Sequence, residues 1–429
     1  MRKLKRALAF GGTLLAGLLV LTSSGAAQDT SPTLTTLHSF GGPPADGTSP
    51  TAPLAIGSDG VLYGATDVGG SLNVGMVFSL TPPAAPGGAW TEAVLYSFLG
   101  YPSDGADNSG GVVIGHGGIL YGTTYLGGSL GGGIVFSLTP PATPGGPWTE
   151  TILHNFFGGV GGSEPQGGVV IGSGGVLYGV TQFAGASGAG TVFALRPPES
   201  SGGAWTLRTL YSFAGGSDAF EPSTGVAIGA GGVLYGTTQY GGTSGNGTVF
   251  SLTPPTQGTP WTETVLYSFA GTDGANPSGA IAIGSGGVLY GTTASGGTSG
   301  NGTVFSLTPP AAPGSPWTET VLYAFMGGQI DGGTPKGGVA IGPGGKLYGT
   351  AYGPYNLAVP NGGTVFVLEP PASPGGSWTE RVLHRFTSSE GASDGKSPVG
   401  IVIGGAGVLY GVNAVGGTSD NGTIFSLTK

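Results

Sequence analysis

The chain contains no cysteine among its 429 residues, so neither disulfides nor thiolate-bound metal can hold it together. Charged residues make up only 8% of it, and beyond residue 28 eight basic residues stand against 21 acidic ones, a net charge of −13. Because nucleic acid and anionic membrane surfaces attract basic patches, we expect neither as a partner. A surface so poor in charge favours an exported protein over a cytosolic one.

Long hydrophobic runs are also absent, with one exception at the N-terminus. There a basic start is followed by a mostly apolar run and then by small residues: Arg2, Lys3, Lys5 and Arg6, residues 7–22, and residues 24–27. This order is typical of a secretory signal peptide, and a retained membrane anchor is the alternative. We expect residues 1–28 to be removed after Ala26 or Ala27, which leaves residues 29–429 as one secreted or periplasmic domain without a membrane span.

Glycine is abundant, with 94 residues, and it marks a repeat. A Leu-Tyr-Gly motif recurs seven times at spacings of 55–62 residues, with its tyrosines at Tyr63, Tyr121, Tyr178, Tyr235, Tyr290, Tyr348 and Tyr410. Each repeat holds four short segments rich in Val, Thr, Tyr and Phe, separated by Gly and Pro turns, which predicts a four-stranded antiparallel sheet. Such sheets must stack on copies of themselves, so the sequence predicts an all-β, seven-bladed β-propeller.

The repeat is out of phase with the ends of the chain. Residues 33–40 match residues 262–269, the fourth strand of a repeat, whereas the chain ends after a third strand at Thr428. We therefore predict that residues 33–40 pair beside residues 423–428 and complete the last blade. This pairing would close the ring without cysteine.

The residues Gly-Gly-Thr-Ser-Gly-Asn-Gly-Thr-Val-Phe-Ser-Leu-Thr-Pro at 241–254, with Val-Leu-Tyr-Ser-Phe at 265–269, carry a family resemblance. They resemble the bacterial GloVer tandem repeat of "choice-of-anchor" exported proteins, and more distantly the kelch blade. The resemblance implies export and a repeat array, but no reaction and no catalytic residue. A C-terminal sorting anchor is missing from the sequence, which favours release or periplasmic retention.

Acidic residues recur in the loops that follow the fourth strands. Asp-Gly pairs begin at Asp46, Asp104, Asp273, Asp331 and Asp394, and the two other copies carry Glu164, and Asp218 with Glu221. All these loops emerge on one face of a propeller, so a carboxylate ring around the channel mouth could bind a cationic or sugar ligand, or calcium. The alternative is turn chemistry, in which each aspartate caps its own loop. We expect no cofactor, since a dispersed ring does not give calcium six to eight oxygens at one point.

Two copies depart from the common loop pattern with aromatic residues, at Phe183 and at Tyr352 and Tyr355. Because function concentrates where a repeat departs from its own pattern, we expect these side chains to line a carbohydrate or peptide site.

The remaining residues with possible chemistry favour packing. His38, His154 and His384 fall where other copies have tyrosine, and the arginines beyond the signal, Arg196, Arg208, Arg381 and Arg385, fall in or at the ends of third and fourth strands. We therefore expect a monomeric, non-catalytic module that binds a carbohydrate, a peptide or a surface protein. A carbohydrate-active lyase or hydrolase and a purely structural surface array are the alternatives.

Overall fold

The computed structural model describes residues 32–428, except 86, 144, 201, 257–258, 313, 329, 354–361, 374 and 388–392. This part of the chain forms a β-propeller of seven four-stranded antiparallel blades, as predicted. The predicted signal peptide lies outside the described residues.

The strands of each blade run in order from the innermost to the outermost. Blade 1 has Ala55–Ile56, Leu62–Thr66, Met76–Thr81 and Thr91–Ser97; blade 2 has Val112–Ile114, Leu120–Thr124, Ile134–Thr139 and Thr149–Asn155. Blade 3 has Ser163–Ile171, Leu177–Phe183, Thr191–Arg196 and Thr206–Ser212; blade 4 has Ala227–Ile228, Leu234–Gly241, Thr248–Thr253 and Thr262–Ser268. Blade 5 has Ala282–Ile283, Leu289–Ser295, Thr303–Thr308 and Thr318–Ala324; blade 6 has Ala340–Ile341, Leu347–Ala351, Thr364–Glu369 and Thr379–Arg385. Blade 7 has Lys396–Ile403, Leu409–Val415, Thr423–Thr428 and, from the other end of the chain, Thr33–Ser39.

The ring closes by the predicted pairing of the two chain ends. Thr33–Ser39 runs antiparallel to Thr423–Thr428, from Thr33 opposite Thr428 to Ser39 opposite Thr423. Beyond the strand, the amide of Phe40 donates to the carbonyl of Gly422 at 3.1 Å. The outer edge of the third strand in blade 7 is therefore covered by the start of the domain.

The glycine of each Leu-Tyr-Gly motif makes room for a phenylalanine. A Cβ on Gly122 would lie 2.6 Å from Cζ of Phe136 in the neighbouring third strand, and the other copies show the same conflict. The freed ring of Phe136 packs edge-to-face on Phe98, which follows the outermost strand of the preceding blade, at 5.1 Å between centroids. A phenylalanine pair occurs at all seven contacts between adjacent blades, which we call seams; six are edge-to-face and Phe156–Phe193 is tilted.

A second aromatic pair recurs at the seams. The tryptophan that precedes an outermost strand packs edge-to-face on the motif tyrosine of the preceding blade, as Trp317 does on Tyr235 at 6.1 Å. Six seams have this pair, and at the seventh Pro32 takes the tryptophan's place in the repeat. The repeated sequence thus encodes both the blade and its docking surface.

Two sets of loops share one side of the ring, which we call the loop face. They join each outermost strand to the next blade and each second strand to its third; in blade 2 they are residues 99–111 and 125–133. Short strands such as Gly105–Ala106, paired with Leu126–Gly127, extend the blades there. The opposite side carries single 3₁₀ turns such as Ser173–Gly175, and the Pro-Gly loops before the outermost strands.

Candidate functional site: the centre of the loop face

The predicted ring of aspartates is engaged within its own loops. Asp104 is only 2% exposed. Its Oδ2 accepts the hydroxyl of Tyr96 at 2.8 Å and the amide of Leu99 at 2.9 Å, and its Oδ1 accepts the amide of Gly105 at 2.6 Å. We call this contact between an outermost strand and the following loop an aspartate latch.

The latch recurs around the ring, with histidine in place of tyrosine in two copies. The other pairs are Tyr211–Asp218 at 3.1 Å, Tyr267–Asp273 at 2.5 Å, Tyr323–Asp331 at 2.6 Å, His38–Asp46 at 3.3 Å and His384–Asp394 at 3.2 Å. Burial alone would raise the pKa of Asp46, but hydrogen bonds from His38 and two backbone amides outweigh it and lower that pKa.

The latches therefore do not surround a channel mouth, because their carboxylates turn toward the outermost strands. Asp46, Asp104, Asp273, Asp331 and Asp394 are all absent from the described residues that line the centre of the face. The geometry is that of turn capping, the alternative that the sequence left open.

The third copy lacks the latch. The loop of residues 157–162 has no carboxylate in the aspartate's place. Glu164 lies just beyond this loop, in the first strand of blade 3, with φ 58°. His154, which occupies the tyrosine position, has a buried Nε2 without a hydrogen-bond partner in the described part of the chain. Burial lowers its pKa.

The seven blades meet at a depression of about 390 Å³ in the centre of the loop face, which we call the axial depression. Each blade contributes a segment that precedes its innermost strand or, in blades 3 and 7, lies within it; the segments are represented by Thr51, Ser109, Gln166, Ser223, Ser278, Lys336 and Val399. The backbones of adjacent blades touch there: a Cβ on Gly168 would lie 2.5 Å from the carbonyl oxygen of Gly110. Backbone therefore forms much of the floor, and side chains form the rim.

A ring of left-handed residues borders the depression. At one repeated position, two residues before those that line the depression, a non-glycine residue of each blade has φ between 52° and 61°: Ser49, Asp107, Glu164, Glu221, Asn276, Thr334 and Ser397. The amide of each one donates to a carbonyl of the preceding blade, at 2.6–3.2 Å. The uncommon backbone conformation thus serves blade docking, and it is the same in every copy although the side chains differ.

Side chains on this ring link neighbouring blades. The residue three positions after the motif glycine meets the left-handed residue of the next blade in three places. Tyr125 hydrogen-bonds Glu164, Gln182 Nε2 donates to Glu221 at 3.2 Å, and the carbonyl of Gln239 accepts Asn276 Nδ2 at 3.2 Å. Burial, the hydrogen bond to Glu164 and nearby carboxylates together raise the pKa of Tyr125. Polar contacts therefore bridge the three successive seams from blade 2 to blade 5.

Blades 1 and 2 instead bring two carboxylates together. Oδ1 of Asp67 accepts the hydroxyl of Thr51 at 2.7 Å. Burial raises the pKa of Asp67 to about 6, partly opposed by that bond and reinforced by the charge of Asp107. Burial also raises the pKa of Asp107. A cavity of about 320 Å³ opens beside them, lined by Asp67, Val68, Asp107, Ser109, Tyr125 and Gln166.

The aromatic residues predicted to line a site lie apart from this pair. Tyr352 follows the second strand of blade 6, and Nζ of Lys336 lies 4.7 Å from the centroid of its ring. Phe183 ends the second strand of blade 3 and is half-buried. Tyr355 lies outside the described residues. Tyr352 thus contacts Lys336, which lines the depression, whereas Phe183 is not among the lining residues described.

The sequence interpretation missed Asp67, Asp107, Tyr125 and Gln182. The sequence does mark this position. The third residue after the glycine of each Leu-Tyr-Gly motif differs among the copies: Asp67, Tyr125, Gln182, Gln239, Ala294, Tyr352 and Ala414. This is a variable column beside constant ones, and aligning the copies would have exposed it.

Two negative findings apply to the described residues only. They contain no group of three or more His, Cys, Asp and Glu side chains that could hold a metal ion. None of their helices has the length and hydropathy needed to cross a membrane.

Some solved structures are similar in fold. An aldose sugar dehydrogenase from Streptomyces coelicolor, with PQQ bound, is 14% identical with a TM-score of 0.44, over 92% of this chain and 98% of that one. Trypanosoma rangeli sialidase is 13% identical with a TM-score of 0.41, over 89% and 55%. A Dyadobacter fermentans protein of unknown function is 10% identical with a TM-score of 0.43, over 92% and 99%. At such values these likenesses say nothing about activity.

No curated protein matches the chain. The Gloeobacter/Verrucomicrobia repeat, in contrast, matches three overlapping segments, residues 23–250, 113–354 and 224–429. Together these segments span the seven blades and agree with the repeat motif described above. The chain is a member of the Gloeobacter/Verrucomicrobia repeat family.

Proposed function

We propose that the protein is an exported, non-catalytic binding module that holds a hydroxyl-rich ligand, such as a carbohydrate, in the axial depression. One observation carries this proposal: around the depression the backbone is the same in all seven copies, but the side chains are not. Core positions such as the seam phenylalanines keep their residue in every copy. Variable side chains around a cavity, on a backbone that does not vary, are typical of a binding surface on a rigid scaffold.

The chemistry of the rim suits hydroxyl groups. Gln166 and Gln239 offer both donors and acceptors, and Lys336 offers a cation. Asp67 and Asp107 add carboxylate acceptors from the adjoining cavity, which shares Ser109 and Gln166 with the depression. Hydrogen bonds to charged groups contribute about 1.5–3 kcal/mol each, roughly twice the contribution of neutral ones. A ligand with several hydroxyl groups can use several such contacts at once, whereas an apolar ligand would leave them unsatisfied.

Export is the second part of the proposal. It is supported by the basic and apolar order of residues 1–28 and by the low charge of the remainder. Expression of the full chain in a bacterial host, followed by N-terminal sequencing of the exported protein, tests it. A mature N-terminus after Ala26 or Ala27 supports export, whereas an intact Met1 in the cytoplasmic fraction contradicts it.

Binding is tested on a glycan array, followed by calorimetry with the best glycan. We expect the double variant Asp67→Asn and Asp107→Asn to weaken binding at least tenfold, because it removes two charged acceptors. Glu199→Gln is the matched control, since Glu199 is exposed in a loop between a third and a fourth strand, on the opposite side of the ring. An array without binding contradicts a carbohydrate ligand, and equal binding by the double variant contradicts the site.

Hydrolysis of a carbohydrate is the second candidate, favoured by one observation. Two carboxylates lie close together, and burial raises the pKa of Asp67 to about 6, as suits a general acid. Reducing-end release from the array's best glycan, lost in Asp67→Asn, would favour this candidate over simple binding.

A further inference from the structure

Five glutamates occupy one repeated position in the outermost strands. They are Glu92, Glu150, Glu263, Glu319 and Glu380, each the second residue of its strand; Glu263, for example, lies opposite Leu252. Each side chain is half-buried, and in all five Oε1 is shielded from solvent without a hydrogen-bond partner among the described residues. A carboxylate in that position has lost water without gaining a donor.

Each glutamate also faces the aspartate latch of the preceding blade. The charge of the latch aspartate acts on the glutamate carboxylate in each case. The pairs are Asp104 with Glu150, Asp218 with Glu263, Asp273 with Glu319, Asp331 with Glu380, and Asp46 with Glu92. The other titratable or charged groups that face them are the latch tyrosines, His38 at Glu92 and Arg385 at Glu380. Five seams therefore bring two acidic groups together.

The chain contains its own comparison for this arrangement. In blade 3 the glutamate position holds Leu207, and the loop that it faces is the one without a latch aspartate. A Cβ on Gly161 of that loop would lie 3.6 Å from the Leu207 side chain. The two acidic groups are thus absent together at this seam. In blade 7 Leu34 takes the position, although the latch of Asp394 and His384 remains.

Burial is the main reason that these glutamates hold their protons, and the facing aspartate is the second. Together they raise the pKa of each of the five to about 7. An acid whose pKa is raised in the folded state stabilises the fold fully below the unfolded pKa, about 4.3. That contribution is lost as the pH rises through 7.

We infer that the five glutamates make the ring more stable in mild acid. At each of these five seams the glutamate is uncharged in mild acid, and above neutral pH it adds a second negative charge that weakens the seam. The five positions titrate in parallel, so their effects add around one ring. The stability of the propeller is thereby coupled to the acidity of its surroundings.

Other titratable groups also make the stability of the fold depend on pH, some in the same direction as the glutamates and some in the opposite one, but they do not cancel the effect of the glutamates. Lowered pKa values at Asp46 and His154 favour the fold at higher pH, whereas the raised pKa of Asp67 acts in the same direction as the glutamates. Two opposing groups stand against five glutamates. We therefore expect the net dependence to follow the glutamates.

The melting temperature from pH 5 to pH 9 tests the inference on the exported protein. We expect the wild-type value to fall by several degrees across this range, and the variant with all five glutamates changed to glutamine to lose at least half of that fall. Glu199→Gln is the control and should keep all of it, because Glu199 is exposed. A wild-type value that is flat or rises with pH overturns the inference, as does a fall that persists undiminished in the fivefold variant.

Single variants keep the test decisive if the fivefold variant does not fold. Glu150→Gln and Glu319→Gln should each remove about a fifth of the fall. Carbon-13 NMR of glutamate carboxyl groups gives a direct measurement, in which five resonances should titrate near pH 7 and vanish singly in the variants. Five resonances that all titrate near pH 4–5 overturn the inference.

Discussion

The hydroxyl of Tyr323 donates a hydrogen bond of 2.6 Å to Oδ2 of Asp331, a carboxylate that is fully buried at the seam between blades 5 and 6. The same carboxylate also accepts the amides of Met326 and Gly327 at 2.8 Å. Three donors from one loop and one strand thus compensate the burial of a negative charge. The latch fixes the loop that leads into blade 6, and so fixes how that blade docks.

The change Tyr323→Phe removes one of these donors and keeps the ring. We expect it to lower the free energy of unfolding by about 1–3 kcal/mol, since a buried acceptor loses its partner. Urea unfolding measures the change, and Tyr240→Phe is the control because Tyr240 is 39% exposed. Tyr323→His should retain much of the stability, as His384 does beside Asp394. Equal stabilities for Tyr323→Phe and wild type would contradict a stabilising latch.

The architecture could be predicted from the sequence because every copy repeats it. The Leu-Tyr-Gly motif, the seam phenylalanine and the position of the first strand each appear in a column of seven or nearly seven residues. A position that is ambiguous in one copy can be interpreted from the other six. The closure by Thr33–Ser39 followed from counting strands alone.

The candidate site could not be predicted in the same way. The aspartates form a column too, but their direction depends on the hydroxyl of a residue such as Tyr96, eight residues earlier. Nor does the sequence give the left-handed conformation of Asp107 or Glu164, since that follows from a hydrogen bond to another blade. Asp67 and Tyr125 become neighbours of these residues only once consecutive blades have docked.

The closing strand is tested at Phe40, the aromatic residue that follows it. Its side chain is 0% exposed and packs on Phe78 of blade 1 at 5.3 Å between ring centroids. We expect Phe40→Ala to lower the free energy of unfolding by about 3–5 kcal/mol, as for other buried phenylalanines. Phe157→Ala, at a position 64% exposed, should change it by less than about 0.5 kcal/mol. Similar values for the two variants would mean that the first strand does not hold the ring closed.

Asn108 is a place where the repeat can be improved. It is 0% exposed, and both amide atoms lack partners among the described residues. The other six copies have proline here: Pro50, Pro165, Pro222, Pro277, Pro335 and Pro398. We expect Asn108→Pro to raise the free energy of unfolding by about 1 kcal/mol, because it removes a buried unsatisfied amide and restricts the unfolded chain.

Thermal and urea unfolding of Asn108→Pro measure this gain. Asn108→Ala is the control, because it removes the amide without adding a proline ring and so separates the two effects. A proline at another asparagine such as Asn73 would not serve, because Asn73 has a positive φ that proline cannot adopt. A loss of stability in Asn108→Pro would indicate that the buried amide of Asn108 binds an ordered water or a ligand, which proline would displace.

His154 gives the seam between blades 2 and 3 a pH dependence of opposite sign. Burial lowers its pKa in the folded state. Its contribution to stability is therefore present above the pKa of the unfolded state, about 6.5, and is lost as the pH falls to the pKa of the folded state. We expect His154→Phe to be more stable than wild type at pH 5, with a smaller difference at pH 8. Urea unfolding at both pH values measures this, with His116→Gln as the control because His116 is exposed. If the difference were the same at both values, His154 would bind a proton equally in the folded and unfolded states, and the absence of a latch at this seam would carry no electrostatic consequence.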